Sequence, residues 1–215
     1  MVADMAHAFL ANAQDIPANE QECADYLTIL VARARAGDAL AFERIMLATE
    51  RRVVAMAWRM LGNQDDAHDA AQEVYLRVFK YLARFRPGED FRGWLYRITI
   101  NVCHDMSRRR RSGTMVRLSE IDSAEEIALA DPAAPDLEDR TLHQQQLALV
   151  RRALQILPAK ERAAIVLRDL EGFSTEEVAR LLRSRPVTVR SQVSSARARI
   201  KAYCEKFSRS KVRSL

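Results

Sequence analysis

Apolar residues recur along this chain at spacings of three and four, with no run of β-branched alternation, so the pattern predicts helices and no sheet. From about Asp25 to Arg111 the amphipathic pattern is continuous apart from short breaks. Gly37–Asp38 and Gly62–Asn63 carry turn signals, and "RPGED", Arg86 to Asp90, reads as a loop. After that loop Phe91, Trp94, Leu95, Ile98 and Val102 return at helical spacing as a predicted core stripe. Between Ser112 and about Arg140 the pattern lapses into the acidic "DSAEEIALADPAAPDLED", broken by Pro132 and Pro135. This reads as a linker, with room for one short helix around Glu125–Ala130. Helices resume at Thr141, and the first of them stops at Pro158. The next, "AKERAAIVLRDLEG", ends at Gly172, a residue suited to the left-handed position after a helix. "STEEVARLLRS" opens on Ser174 with Glu177 three places on, a capping box. A short turn leads into "RSRPVTVRSQVSSARARIK", Arg183 to Lys201. Helix, tight turn and basic helix in that order predict a helix-turn-helix. The predicted fold is all-α, two small helical domains joined by a flexible linker. Their bounds are 25–112 and 141–203, with an N-terminal extension 1–24, a linker 113–140 and a basic tail 204–215.

Composition makes this division sharper. With 48% hydrophobic residues in 215, the chain can build real cores. The net charge of +5 is segregated rather than spread. From Arg180 onward there are eleven Lys/Arg against one acid, Glu205, whereas Arg117–Asp139 carries eight acids and one base. A basic end of this kind suits a polyanion. Cys23, Cys103 and Cys204 form no CxxC pair and the four histidines complete no zinc pattern, so reduced thiols and no metal or cofactor are expected. No apolar run approaches about 18 residues. The start, "MVADMAHAFLANA", has no basic segment of the kind that opens a secretory leader, and a cytoplasmic protein is expected. No nucleophile–base cluster or glycine-rich phosphate loop is present, which argues against an enzyme.

The basic helix has two faces. Stepping 100° per residue from Val189 places Val193, Ala196 and Ile200 within about 40° of it, a buried stripe. The opposite face carries Val187, Ser191, Ser194 and Ala198, flanked by Arg190, Ser195 and Lys201. Small residues there let the helix sit deep in a major groove, and Arg190 at the edge can reach a guanine or a phosphate. Arg183, Arg185, Arg197 and Arg199 surround that face and suit phosphates. A solvated basic surface helix is the other reading. A residue before proline avoids the α region, so Arg185 is the predicted N-cap and Pro186 the first helical residue; Ser184 as N-cap is the competing reading. Arginine offers no acceptor, so the first amides of the helix await another partner, for which a DNA phosphate is suited.

At this point two stretches carry a family resemblance. "LPAKERAAIVLRDLEGFSTEEVARLL", Leu157 to Leu182, with the following "TVRS" and "ARARI", resembles the second conserved domain of extracytoplasmic-function (ECF) σ factors, the sigma-70-type initiation subunits of bacterial RNA polymerase. "DDAHDAAQEVYLRVFKYLARF", Asp65 to Phe85, is similar to that family's core-polymerase-binding segment. "FRGWLYRITINVCHDMSRRRR", Phe91 to Arg111, is similar to its promoter −10 segment. The resemblance implies a dissociable subunit that binds core polymerase and promoter DNA, answers to an anti-σ factor and does no catalysis. It implies polymerase binding through Asp66, Asp69, Gln72, Glu73 and Arg77, with the carboxylates of "DDAHDAAQE" on an exposed helix face. It implies −10 capture and melting through Arg86, Phe91, Trp94, Arg97, Asn101, Arg108 and Arg109, with Trp94 also readable as core. It implies −35 reading through Arg185, Thr188, Arg190, Ser191, Ser194, Ser195 and Arg197. The turn departs from the family: relatives usually have glycine, an apolar residue and serine where this chain has Arg183, Ser184 and Arg185, and Ser195 stands where an arginine is usual. A stand-alone helix-turn-helix regulator is the alternative, and it leaves 91–111 unexplained.

Overall fold

The computed structural model describes residues 20–86, 88–113 and 148–212, and every regular element among them is helical. A first body holds α1 (Glu20–Arg35), α2 (Ala39–Leu61), α3 (Gln64–Tyr81) and α4 (Phe91–Gly113). A second holds α5 (148–155), α6 (Ala159–Ile165), α7 (Thr175–Leu181) and α8 (Pro186–Val212). Val166–Leu170 continues α6 as a π-helical stretch. The predicted linker and its short helix at Glu125–Ala130 lie outside the described residues.

The turn signals act through local caps. Asp38 accepts from the Ala41 amide at 3.0 Å and starts α2. Gly62, at φ 77, ends α2 and donates its amide to the Trp58 carbonyl at 2.7 Å. Asn63 then accepts from the Asp66 amide at 3.0 Å and starts α3. In the "RPGED" loop, the Asp90 carboxylate accepts from the Arg92 and Gly93 amides at 3.0 Å each, as a cap for α4. The caps at Asp38, Asn63 and Asp90 satisfy amides that a helix start leaves without partners, and Gly62 takes up a carbonyl at the end of α2.

Leu30, Ile45, Val53, Met56, Val74, Val78, Tyr96 and Val102 fill the interior of the first body. The predicted stripe of α4 is there: Phe91, Leu95 and Val102 are buried, and Trp94 and Ile98 are half-buried against the core. Thr49 is buried among them and satisfied, donating to the Ile45 carbonyl and sharing a 2.9 Å hydrogen bond with the Tyr75 hydroxyl. The same buried cluster continues into the second body with Leu154, Leu157, Ala163, Val166, Leu167, Val178, Val189, Val193 and Ala196. Arg162 joins α5 to α6, donating to the carbonyls of Leu154 and Gln155 at 2.9 Å and of Leu157 at 3.0 Å. It thereby takes up carbonyls that the end of α5 leaves without helical partners.

Two sequence boundaries move. Helix α1 begins at Glu20, five residues inside the predicted extension, and α8 runs through the start of the predicted tail to Val212. In both cases helical periodicity without a strong cap or breaker left the end unmarked in the sequence.

Candidate nucleic-acid interface

The helix-turn-helix forms as the sequence predicts. Ser174 accepts from the Glu177 amide at 3.2 Å while the Glu177 carboxylate accepts from the Ser174 amide at 2.7 Å, which completes the capping box of α7. Those bonds hold the Glu177 carboxyl below its usual pKa. Pro186 is the first residue of α8, and the Arg185 carbonyl accepts the first helical bond, from the Val189 amide at 3.1 Å. Val189, Val193 and Ala196 are buried and Ile200 half-buried, so the predicted inner stripe holds the helix to its body. Arg185, Thr188, Arg190, Ser191, Ser194 and Ser195 are exposed, and Val187 among them is 70% exposed.

Arg197 is exposed as well, but it has a partner within the protein. It makes a paired-fork contact with Asp169, Nε to Oδ2 at 2.8 Å and Nη2 to Oδ1 at 2.7 Å, and the Asp169 side chain is only 5% exposed. Arg199 reaches Glu161 at 3.2 Å. A buried acid beneath a bidentate arginine fixes geometry, so these two arginines pin α8 to the helix behind it. Arg190 meets Glu176 at 3.3 Å with both side chains well exposed, a contact worth about 0–1 kcal/mol and readily exchanged for another partner.

The altered turn has a backbone consequence. Arg183 sits at φ 49, the left-handed region, where an L side chain carries a penalty of about 1–2 kcal/mol and glycine does not. Arg183→Gly is therefore expected to stabilise the second body by about 0.5–1 kcal/mol after the extra freedom of the unfolded chain is counted. A thermal melt showing no rise in Tm for this variant refutes the strain.

On α4, Asn101, His104 and Arg108 fall within about 40° of Arg97 and form one outward stripe with it. Asn101 and Arg108 are exposed, as are Arg86 and Arg109, although Arg109 lies on another side of the helix. Arg97 and His104 are half-buried, and burial lowers the His104 pKa. Two residues expected on this surface also pack inward, Phe91 buried and Trp94 half-buried against the core. Phe91 is 7% exposed and meets the Phe85 ring edge-on at 5.5 Å; Trp94 packs 5.2 Å from Phe85. The sequence admitted both readings for Trp94; its ring packs against Phe85 while staying half-buried.

The α3 surface also differs from expectation. Asp69 and Gln72 are exposed, but Asp66 is buried at 8% and paired with Arg110 at 2.5 Å. Burial raises its carboxyl pKa against the opposing pull of Arg110. Arg77 bridges Glu73 at 2.8 Å and Asp105 of α4 at 3.1 Å, and so binds one helix to the other. Stepping from Asp69 and Gln72 by the same four-and-three spacing reaches Leu76 and Phe79, which are 66% and 69% exposed. Sequence reading missed them because they share the helix with buried apolar positions; their register with the exposed Asp69 was the available signal.

Among the described residues no cluster of His, Cys, Asp or Glu could hold a metal ion, and no helix is long and apolar enough to cross a membrane. Burial pushes the Cys103 thiol up to about 12, far from a reactive thiolate.

Comparison with known proteins matches residues 45–113 to Sigma-70 region 2 and residues 147–200 to Sigma-70 region 4. The chain is 39% identical over 158 residues to the ECF RNA polymerase sigma factor SigE of Mycolicibacterium smegmatis, covering 73% of this chain and 59% of SigE. It is 31% identical to the ECF RNA polymerase sigma-E factor of Escherichia coli K12, over 80% of this chain and 91% of that protein. Its fold resembles that of the sigma factor RpoE of Bartonella quintana, solved with the anti-sigma factor NepR, with a TM-score of 0.60 and 27% identity over 76% of this chain and 96% of that one.

Proposed function

The chain belongs to the ECF sigma factors of the sigma-70 family, non-enzymatic subunits that direct transcription initiation, and from that premise we propose which surface carries each part of the task. The first domain, 25–112, docks on core RNA polymerase through the exposed stripe Asp69, Gln72, Leu76 and Phe79 of α3. An exposed apolar pair beside acids has the makeup of a protein-binding patch, in which a few large side chains supply most of the affinity. Asp66, Glu73 and Arg77 support this surface from behind by holding α3 to α4.

The α4 stripe takes the −10 element. Opening a duplex requires a surface that favours the unpaired strand, and a basic helix with an amide side chain offers phosphate contacts and a base partner together. Asn101 is the base partner, and Arg97, Arg108, Arg109 and Arg86 hold the strand. The second domain, 141–203, reads the −35 element as duplex: Arg190 reaches a base edge, Ser191, Ser194, Ser195 and Thr188 form the close-approach face, and Arg185 meets phosphate. Arg197 acts by fixing the angle of the reading helix. The protein works where RNA polymerase works, in the cytoplasm. Likeness to a sigma factor held by an anti-sigma factor supports control by such a partner.

The observation that carries this reading is the coexistence in one chain of a helix-turn-helix with an exposed serine face and a separate helix bearing Arg97, Asn101 and Arg108. In vitro transcription with purified core polymerase and a panel of promoters tests it, and promoter-dependent transcripts are expected. Duplex binding by the protein alone without such transcripts favours a stand-alone regulator instead.

A further inference from the structure

The basic helix α8 carries one side chain that the fold does not use. Val187 is 70% exposed, the most exposed large apolar side chain among the described residues. Stepping 100° per residue along α8 places it with Ser191, Ser194 and Ala198 within about 60° of one another, on the side opposite the buried Val189. Those three small residues are exposed too, so the face around Val187 is open. A β-branched residue is a poorer helix former than alanine, so neither packing nor propensity accounts for a valine at this position. Single apolar residues are common on protein surfaces, and what distinguishes Val187 is its place. Pro186 is the first residue of α8, so Val187 lies in the first turn. In a helix-turn-helix the first turn of the second helix is the part that meets base edges.

Chemistry identifies the partner. Base pairs show donors and acceptors in the major groove, and the one apolar group among them is the C5 methyl of thymine. A valine at a base edge has no hydrogen bond to offer and gains only from that methyl. Against any other edge it would cover polar atoms without pairing them, at a loss. Arg190 stands three residues on, about 4.5 Å further along the helix and about 60° round it, so the two side chains are surface neighbours. Successive base pairs are about 3.4 Å apart, which puts the two contacts within about two base pairs of each other.

We propose that Val187 is a specificity residue of the −35 contact: its methyl groups pack on the C5 methyl of one thymine, within about two base pairs of the pair that Arg190 reads. The inference rests on the −35 assignment of the helix-turn-helix and adds to it the base that the apolar part of the face selects.

The test uses holoenzyme assembled from the full chain and core RNA polymerase, with a promoter selected from a library randomised at the −35 element. Deoxyuridine replaces each thymine of that element in turn, on either strand, and so removes one methyl and no hydrogen-bonding group. For the wild type, one such position is expected to weaken promoter binding about three- to fivefold, the size of one methyl group returned to water. Val187→Ala, at an exposed site where alanine suits the helix, is expected to lose a similar factor on the thymine promoter. It is also expected to become indifferent to deoxyuridine at that position alone. No sensitive position near the pair assigned by Arg190→Ala, a sensitivity that survives in Val187→Ala, or a Val187→Ala loss shared by every −35 sequence overturns the proposal; the last would mean contact with sugar rather than base. Scrambling the whole element separates the two failures. A wild-type holoenzyme indifferent to scrambling loses the −35 reading and Val187 with it, whereas one that needs the element but ignores deoxyuridine loses Val187 alone.

Discussion

Replacing Leu76 and Phe79 together by alanine is expected to weaken binding to core RNA polymerase by at least about a hundredfold while the helical fold is retained. Each side chain is about two-thirds exposed, 66% and 69%, so the fold gains little from either. At a protein interface a large apolar anchor of this kind contributes about 2 kcal/mol or more, roughly thirtyfold in affinity, and two neighbours act in concert. Phe79 does touch the Phe42 ring edge-on at 5.2 Å, so its loss takes some packing with it. Leu76→Ala alone is free of that contact and serves as the clean arm, with an expected loss of about tenfold or more. A titration of labelled protein with core polymerase reads both. Unchanged affinity in the double variant removes this stripe from the docking surface and returns attention to Asp69 and Gln72.

Arg190→Ala should cost about 1–3 kcal/mol in binding to a selected −35 duplex, roughly 5- to 150-fold, and should relax the sequence preference at one position. Arg190 is available for this because its contact to Glu176 is exposed on both sides at 3.3 Å. Arg197→Ala is the instructive contrast. It strips the cover from Asp169, whose side chain is 5% exposed, and loosens α8 from the body. Its expected signature is a lower Tm and a loss of binding shared by all duplexes. Measuring both variants against a set of single-position duplex changes separates a base reader from a helix anchor. Equal losses across all sequences for Arg190→Ala demote it to a phosphate contact.

The helix-turn-helix is legible in the amino-acid sequence because its devices are local. The capping box at Ser174 and Glu177, the left-handed Gly172, the proline opening of α8 and the Val189, Val193, Ala196 and Ile200 stripe are each settled within a few residues of chain. Local rules therefore locate both the motif and its outward face. The candidate site is harder. Asp66, Arg77, Phe91 and Arg197 have the residue type that binding surfaces use, and each is held instead by a partner on another segment of the chain: Arg110, Asp105, Phe85 and Asp169. A charge on the rim of a helix looks the same in sequence whether its partner is solvent, DNA or a buried acid from another helix.

The sequence by itself determined the helices, their caps, the two-domain division and the family, because periodicity, capping and turn chemistry depend on neighbours three or four residues away. Only the tertiary structure decided which charged residues pair with which, as Glu171 does with Arg59 and Tyr96. Those outcomes depend on desolvation and on pairings across more than seventy residues, such as Tyr96 with Glu171, which no local spacing encodes.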